Sequence, residues 1–138
     1  MGRISMSEPN IIEYPNGHKE WWLNDLLHRE DGPAIEWADG DKSWYLNGIR
    51  HRADGPAIEY SNGTKVWYLN GQLHRLDGPA YERDDGHKEW YLNGNLHRED
   101  GPAYEREDGQ KDWWLNGKHY TEEEYIMIQF MNGKNIYV

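Results

Sequence analysis

A chain of 138 residues has room for one domain-sized architecture and none for a separate catalytic domain. Only 36% of it is apolar, eight Trp and ten Tyr stand against one Phe, and the lack of Cys excludes disulfide frameworks, zinc-thiolate sites, iron-sulfur clusters and thiol nucleophiles. Fifteen Lys plus Arg against 25 Asp plus Glu leave a net charge of −10, which argues against nucleic-acid phosphates or an anionic membrane as direct partners.

Residues 1–12 match nothing later in the chain and read as an N-terminal extension, partly disordered. They hold no signal-peptide hydrophobic region, and Met6 stands where a myristoylation motif needs Ser or Thr. With no apolar run of 18 residues either, the expectation is a soluble, cytoplasmic protein that neither crosses nor is anchored to a membrane.

From Glu13 onward the chain repeats. Glu13, Glu36, Glu59, Glu82 and Glu105 recur every 23 residues, and Lys19, Lys42, Lys65, Lys88 and Lys111 keep the same step. So do Trp21, Trp44, Trp67, Trp90 and Trp113. The copies run 13–35, 36–58, 59–81, 82–104 and, in part, 105–117. Each contains at least two Asn-Gly or Asp-Gly pairs, such as Asn62-Gly63 and Asn70-Gly71, which favour the positive φ angles of tight hairpin turns. Between them, Lys65-Val66-Trp67-Tyr68-Leu69 has the aromatic and β-branched content of a strand, and Asp77-Gly78-Pro79-Ala80-Tyr81 begins the next one. Frequent Gly and Pro exclude helix within the copies. The expected fold class is all-β: a single-layer antiparallel meander of consecutive hairpins. Side-chain alternation would then set one ladder of rings (Trp21, Trp44, Trp67, Trp90, Trp113) on one face and a second (Trp22, Tyr45, Tyr68, Tyr91, Trp114) on the other, with stacked rings replacing a two-layer core.

After Gly117 the pattern changes, and residues 118–138 read as a C-terminal cap. Thr121 with Glu124 three residues on is a capping box, which predicts a short helix near residues 121–128. Residues 128–138 read as one more hairpin whose last strand offers an open edge to a second copy, a route to a homodimer.

The run Asp85-Gly86-His87-Lys88-Glu89-Trp90-Tyr91-Leu92-Asn93-Gly94-Asn95-Leu96-His97 resembles the MORN repeat (membrane occupation and recognition nexus) across residues 13–117. The second half of each unit, as in His97-Arg98-Glu99-Asp100-Gly101-Pro102-Ala103, replaces the usual His-Gly-x-Gly, so the array resembles a variant of the family. Similar arrays are common in giant-virus and phage proteins. The resemblance implies a non-catalytic scaffold or docking module, and a viral protein acting on a host factor in the host cytoplasm.

Four copies of His-Arg-x-Asp are the chemically richest element: His28, Arg29 and Asp31; His51, Arg52 and Asp54; His74, Arg75 and Asp77; His97, Arg98 and Asp100. An active site is built once, whereas a group present in every unit serves the unit, so these Arg and Asp residues and the five Trp are assigned structural roles, with each Arg bridging to a neighbouring Glu. No catalytic residue is assigned, and the chain is expected not to be an enzyme. No metal or cofactor is expected: His-x-His and His-x-x-x-His are absent, and turn chemistry accounts for the Asp-Gly pairs. Binding is expected where copies differ. Ile49, Arg50, Ala53, Val66, Gln72 and Leu76 stand where outer copies often carry charge (Glu20 and Glu89 match Val66; Glu30 and Glu99 match Ala53 and Leu76), giving an apolar patch for a protein partner. Two other readings are a nucleotide ligand held between rings and Arg, and an acidic nucleic-acid mimic that occupies the groove of a DNA-binding defence protein.

Overall fold

Each period-marking Glu is followed six residues later by a Lys, and a tight turn between them sets the two side by side on neighbouring antiparallel strands. A computed structural model, which describes residues 8–133, has Glu13 opposite Lys19, Glu36 opposite Lys42, Glu59 opposite Lys65, Glu82 opposite Lys88 and Glu105 opposite Lys111. On their other side three of these Lys strands meet the next Glu within the same unit: Lys19 faces Glu36, Lys42 faces Glu59 and Lys88 faces Glu105. Opposite charges therefore alternate from strand to strand, and a one-residue slip would break every pair. Within the Glu-to-Lys turns the backbone closes as at Tyr60, whose N–H reaches the Thr64 carbonyl at 2.9 Å, while Gly63 takes φ +94°.

The chain divides into two compact units after Gln72. The first contains β1 (Asn10–Glu13), β2 (Lys19–Leu23), β3 (Leu26–Leu27), β4 (Ile35–Glu36), β5 (Lys42–Ser43), β6 (Tyr45–Leu46), β7 (Ile49–Arg50), β8 (Ile58–Glu59), β9 (Lys65–Val66) and β10 (Tyr68–Leu69). β11 (Gln72–Leu73) lies at the division. The second contains β12 (Tyr81–Glu82), β13 (Lys88–Glu89), β14 (Tyr91–Leu92), β15 (Asn95–Leu96), β16 (Tyr104–Glu105), β17 (Lys111–Leu115), β18 (Lys118–Tyr120) and α1 (Glu122–Met131). In the first unit β1, β2, β4, β5, β8 and β9 pair in that order; in the second β12, β13, β16, β17 and β18 do. Each unit is thus an antiparallel meander of consecutive hairpins, and the second ends in a helix. Among the described residues no helix is long and apolar enough to cross a membrane.

The Lys-x-Trp-Tyr-Leu segment is one continuous strand in β2 and β17 only. In the copies between, it breaks at the Trp, so that β5 and β6, or β13 and β14, belong to different sheets. The Trp is a corner. The Trp44 N–H donates to the Ala57 carbonyl at 2.7 Å in the main ladder, while its own carbonyl accepts from His51 N–H at 3.1 Å in the side hairpin of β6 and β7. Trp90 does the same with Ala103 and His97, at 2.8 and 3.0 Å. The side hairpins close through Asn-Gly turns with both residues at positive φ, as at Asn47 (+50°) and Gly48 (+78°), the geometry of a type I′ turn.

Small residues make close strand packing workable. Ala34, Ala57, Ala80 and Ala103 have no exposed surface. In the first unit Trp21, His28, Ile35, Ser43, Ile58, Thr64 and Val66 are buried as well.

Three expectations need correction. Ile11 and Ile12 are not an unstructured extension: β1 runs from Asn10 and pairs with β2, Ile12 facing Glu20 just as Ile35 does one repeat on. The expected last hairpin is helical over residues 128–131, because Tyr125 and Gln129, four apart on α1, are both buried against the preceding loop and hold the helix on past Ile128. Residues 134–138, with the open edge of that hairpin, lie outside the described residues. Finally, a guanidinium and not a neighbouring ring lies over the faces of Trp21, Trp44 and Trp90, as set out below.

The Thr121 hydroxyl accepts from the Glu124 N–H at 3.1 Å and the Glu124 carboxylate accepts from the Thr121 N–H at 2.8 Å, so the expected capping box starts α1. Thr121→Ala is expected to lower unfolding stability by about 0.5–2 kcal/mol, read from urea denaturation. An unchanged midpoint would mean that the tertiary anchors alone hold the helix.

Candidate functional site

The His-Arg-x-Asp-Gly-Pro-Ala loops bring together the residues with the most chemistry to offer. In the first loop the Arg29 Nε donates to Asp31 at 2.9 Å, and its Nη1 donates to the Pro33 carbonyl and to Glu36, both at 3.1 Å. The guanidinium lies over the Trp21 ring, 3.9 Å from the centroid. Arg52 and Arg98 repeat the set with Asp54, Pro56, Glu59 and Trp44, and with Asp100, Pro102, Glu105 and Trp90. Arg75 bonds Asp77 and Pro79 and pairs with Glu82 at 3.6 Å. The Arg to Glu bridge expected from the sequence is present in each loop.

The other side of the guanidinium meets the loop glycine. A Cβ added at Gly32, Gly55, Gly78 or Gly101 would stand 2.8 to 3.0 Å from the Arg Cζ. These four glycines do not have positive φ, so turn chemistry does not account for them; close approach of the guanidinium does. Arg29, Arg52 and Arg98 are each pressed between an indole face and a glycine backbone. At 3.9 Å from the ring no gap remains for a nucleobase, and Nε and Nη1 of each of these three guanidinium groups are already engaged.

The His of each loop is engaged as well. His28 Nδ1 accepts the N–H of Asn47, 19 residues on, at 2.9 Å; His51, His74 and His97 accept from Asn70, Asn93 and Asn116 at 2.9, 3.0 and 2.9 Å. That role places the proton on Nε2, which in His28 and His97 faces Glu30 and Glu99 at 3.3 and 3.1 Å. Each loop thus latches the next repeat's Asn-Gly turn. Among the described residues no three His, Asp or Glu side chains are grouped to hold a metal ion.

The six positions read as a binding patch separate. Val66 is 4% exposed and faces Ile58 across the ladder, so it is core and not surface. Its equivalents Glu20 and Glu89 are not solvated either: Glu20 accepts from His18 at 2.8 Å and from Trp22, and Glu89 from His87 at 2.6 Å and from Tyr91. Arg50 packs on the Tyr45 and Tyr68 rings and donates to the Tyr45 hydroxyl at 2.6 Å. Ile49 is half exposed, with its Cγ2 against Gly71. Ala53 and Gln72 are exposed in the first unit, and Leu76, in the second, is 84% exposed.

Leu76 borders an open groove of about 770 Å³ inside the second unit, lined by Arg75 to Pro79, by Trp90 and Leu92, and by His97 to Asp100. One repeat further on, the corresponding loop is covered by α1. The Tyr125 hydroxyl donates to the Arg98 carbonyl at 2.6 Å and accepts from the Gly101 N–H at 3.1 Å, while the Gln129 amide donates to the Glu99 carbonyl at 2.6 Å. Sequence reading missed both residues; the signal was a Tyr and a Gln one helical turn apart behind a capping box.

A scan against protein-family models and a search of curated proteins found no match to the chain.

Gly55→Ala and Arg52→Lys are each expected to cost about 1–2 kcal/mol, the first by pushing the guanidinium off Trp44 and the second by removing its planar stack. Because both act on one contact, the double variant should lose less than the sum; additive losses in thermal unfolding would contradict the sandwich. Three carboxylates are held below the usual range: Glu20 by the His18 hydrogen bond, Asp85 by the His87 N–H and Glu124 by the Thr121 N–H. A depressed folded-state pKa adds stability above the unfolded value, which is lost as pH falls through the folded one. The melting temperature should therefore drop as pH is lowered below about 4, and less steeply in Glu20→Gln.

Proposed function

We propose that the chain is a non-catalytic, MORN-like repeat module that binds a partner protein through the exposed positions at which its copies differ. The observation that carries this reading is Leu76: a large apolar side chain 84% exposed beside an open groove, in a loop whose Arg and Asp are committed to the frame. Isolated exposed apolar residues are common, but one bordering a concavity fits an anchor for a partner's apolar group. The frame supports the non-catalytic part of the reading. The loop His residues each spend Nδ1 as an acceptor, and Arg29, Arg52 and Arg98 are stacked and ion-paired. The nucleotide alternative loses support from the same contacts, since it needs the ring faces that these guanidinium groups cover. The absence of Cys and the resemblance of the array to giant-virus and phage repeats support action in the cytoplasm, that of a host if the protein is viral.

The test replaces Leu76 by Glu, the residue that stands at the equivalent Glu30 and Glu99 and so suits the frame. Partners captured from lysate by the wild-type chain should be lost with Leu76→Glu at unchanged melting temperature. Retention of every partner by Leu76→Glu and by Ile49→Glu together would refute binding through these positions.

A further inference from the structure

The seat of α1 has an unoccupied counterpart one repeat upstream. At residues 98–101 the loop offers two carbonyls and a glycine N–H, and α1 satisfies all three with Tyr125 and Gln129. The loop at residues 75–78 has the same covalent pattern, Arg-x-Asp-Gly, and the same internal bonds from Arg75 to Asp77 and Pro79. There the Leu76 carbonyl and the Gly78 N–H, which correspond to the Glu99 carbonyl and the Gly101 N–H, have no hydrogen-bond partner among the described residues. Both residues line the open groove. Gly101 under α1 is buried, whereas Gly78 is only half-buried and Leu76 projects into solvent.

We propose that this groove receives a helix of a partner protein that carries Tyr at one position, Gln four residues later and an apolar residue to cover Leu76. The inference rests on the protein-binding reading above and names the partner's chemistry. The choice of occupant follows from the interface the chain already makes: the same loop motif, one repeat away, is bound by a helix of that pattern. Residues four apart share a helix face and rise about 6 Å, so one Tyr and one Gln reach successive backbone groups of a loop without distorting it. A Tyr hydroxyl can accept from the Gly78 N–H, as Tyr125 does from Gly101, while the Gln amide donates to the Leu76 carbonyl; Phe cannot accept. Leu76 separates this loop from the others, because Glu30, Ala53 and Glu99 give a partner's apolar face nothing comparable to bury.

The probe is a synthetic helical peptide with the sequence of residues 121–131, which already fits one such loop, titrated into the full-length ¹⁵N-labelled chain. The expected result is a saturable shift of the Gly78 amide and the signals of Leu76, with Gly101 unmoved. The same peptide with Phe in place of Tyr125 should bind about tenfold more weakly, and Leu76→Glu should weaken the unaltered peptide at unchanged melting temperature. Three outcomes overturn the proposal: no shift at Gly78; shifts at Gly101 alone, which would mean that the peptide merely displaces α1; or a Gly78 shift on concentrating the chain without peptide, which would make a second copy the occupant. If the peptide fails to bind while Leu76→Glu still loses partners from lysate, the protein-binding reading stands and only the helical occupant is wrong.

Discussion

The fold depends on a guanidinium held flat between an indole ring and a glycine backbone. In a chain this poor in aliphatic residues, Trp21, Trp44 and Trp90 need a cover that is broad, thin and compatible with a polar loop, and Arg29, Arg52 and Arg98 supply it at 3.9 Å. A contact of this kind contributes about 0.5–2 kcal/mol. The carboxylate pairs to Asp and Glu add modest amounts at this degree of exposure. Their main effect is geometric, since a guanidinium tied at Nε and Nη1 cannot rotate off the ring.

Around that contact the repeat has a division of labour. The Glu and Lys of the period set the register of the main ladder, the Trp turns the chain out of it into a side hairpin, and the loop His returns to fasten the next Asn-Gly turn. These links within the repeats join residues about 20 positions apart or closer, as in His28 to Asn47. Such short separations favour rapid assembly by local contacts.

The period, the hairpins, the capping box and the Arg to Glu bridge were legible in the sequence because each is written as particular residue types at a fixed spacing. What lay hidden depends on the third dimension. Period-two alternation sends Val66 and Trp67 to opposite faces, but both faces are covered in this fold, so an apolar Val66 in place of a charged Glu20 or Glu89 marks a core exchange and not a surface patch. The sequence does contain the clue: His18 accompanies Glu20 and His87 accompanies Glu89, whereas Thr64 accompanies Val66. In these three copies the position is filled by a matched pair, His with Glu in two and Thr with Val in the third; the other two copies carry Asp41 with Ser43 and Gln110 with Asp112. The Gly of Asp-Gly-Pro was likewise read as a turn residue, because the Arg that lies on it comes from three positions earlier and a string of letters does not show stacking.

The near identity of the copies raises a problem of counting. If Lys42 paired with Glu82 instead of Glu59, almost every interaction of the ladder would be reproduced, since the partner strand has the same Glu and the loop the same Arg and Trp. A slip by a whole unit is thus nearly degenerate in local energy, unlike a slip by one residue. The degeneracy is broken at the end, where α1 is tethered by only twenty residues to the loop it covers and its Tyr125 and Gln129 close on that loop's backbone. The helix fixes which copy lies against it and so registers the run from one side, a device that interchangeable parts need in order to pair in a single register.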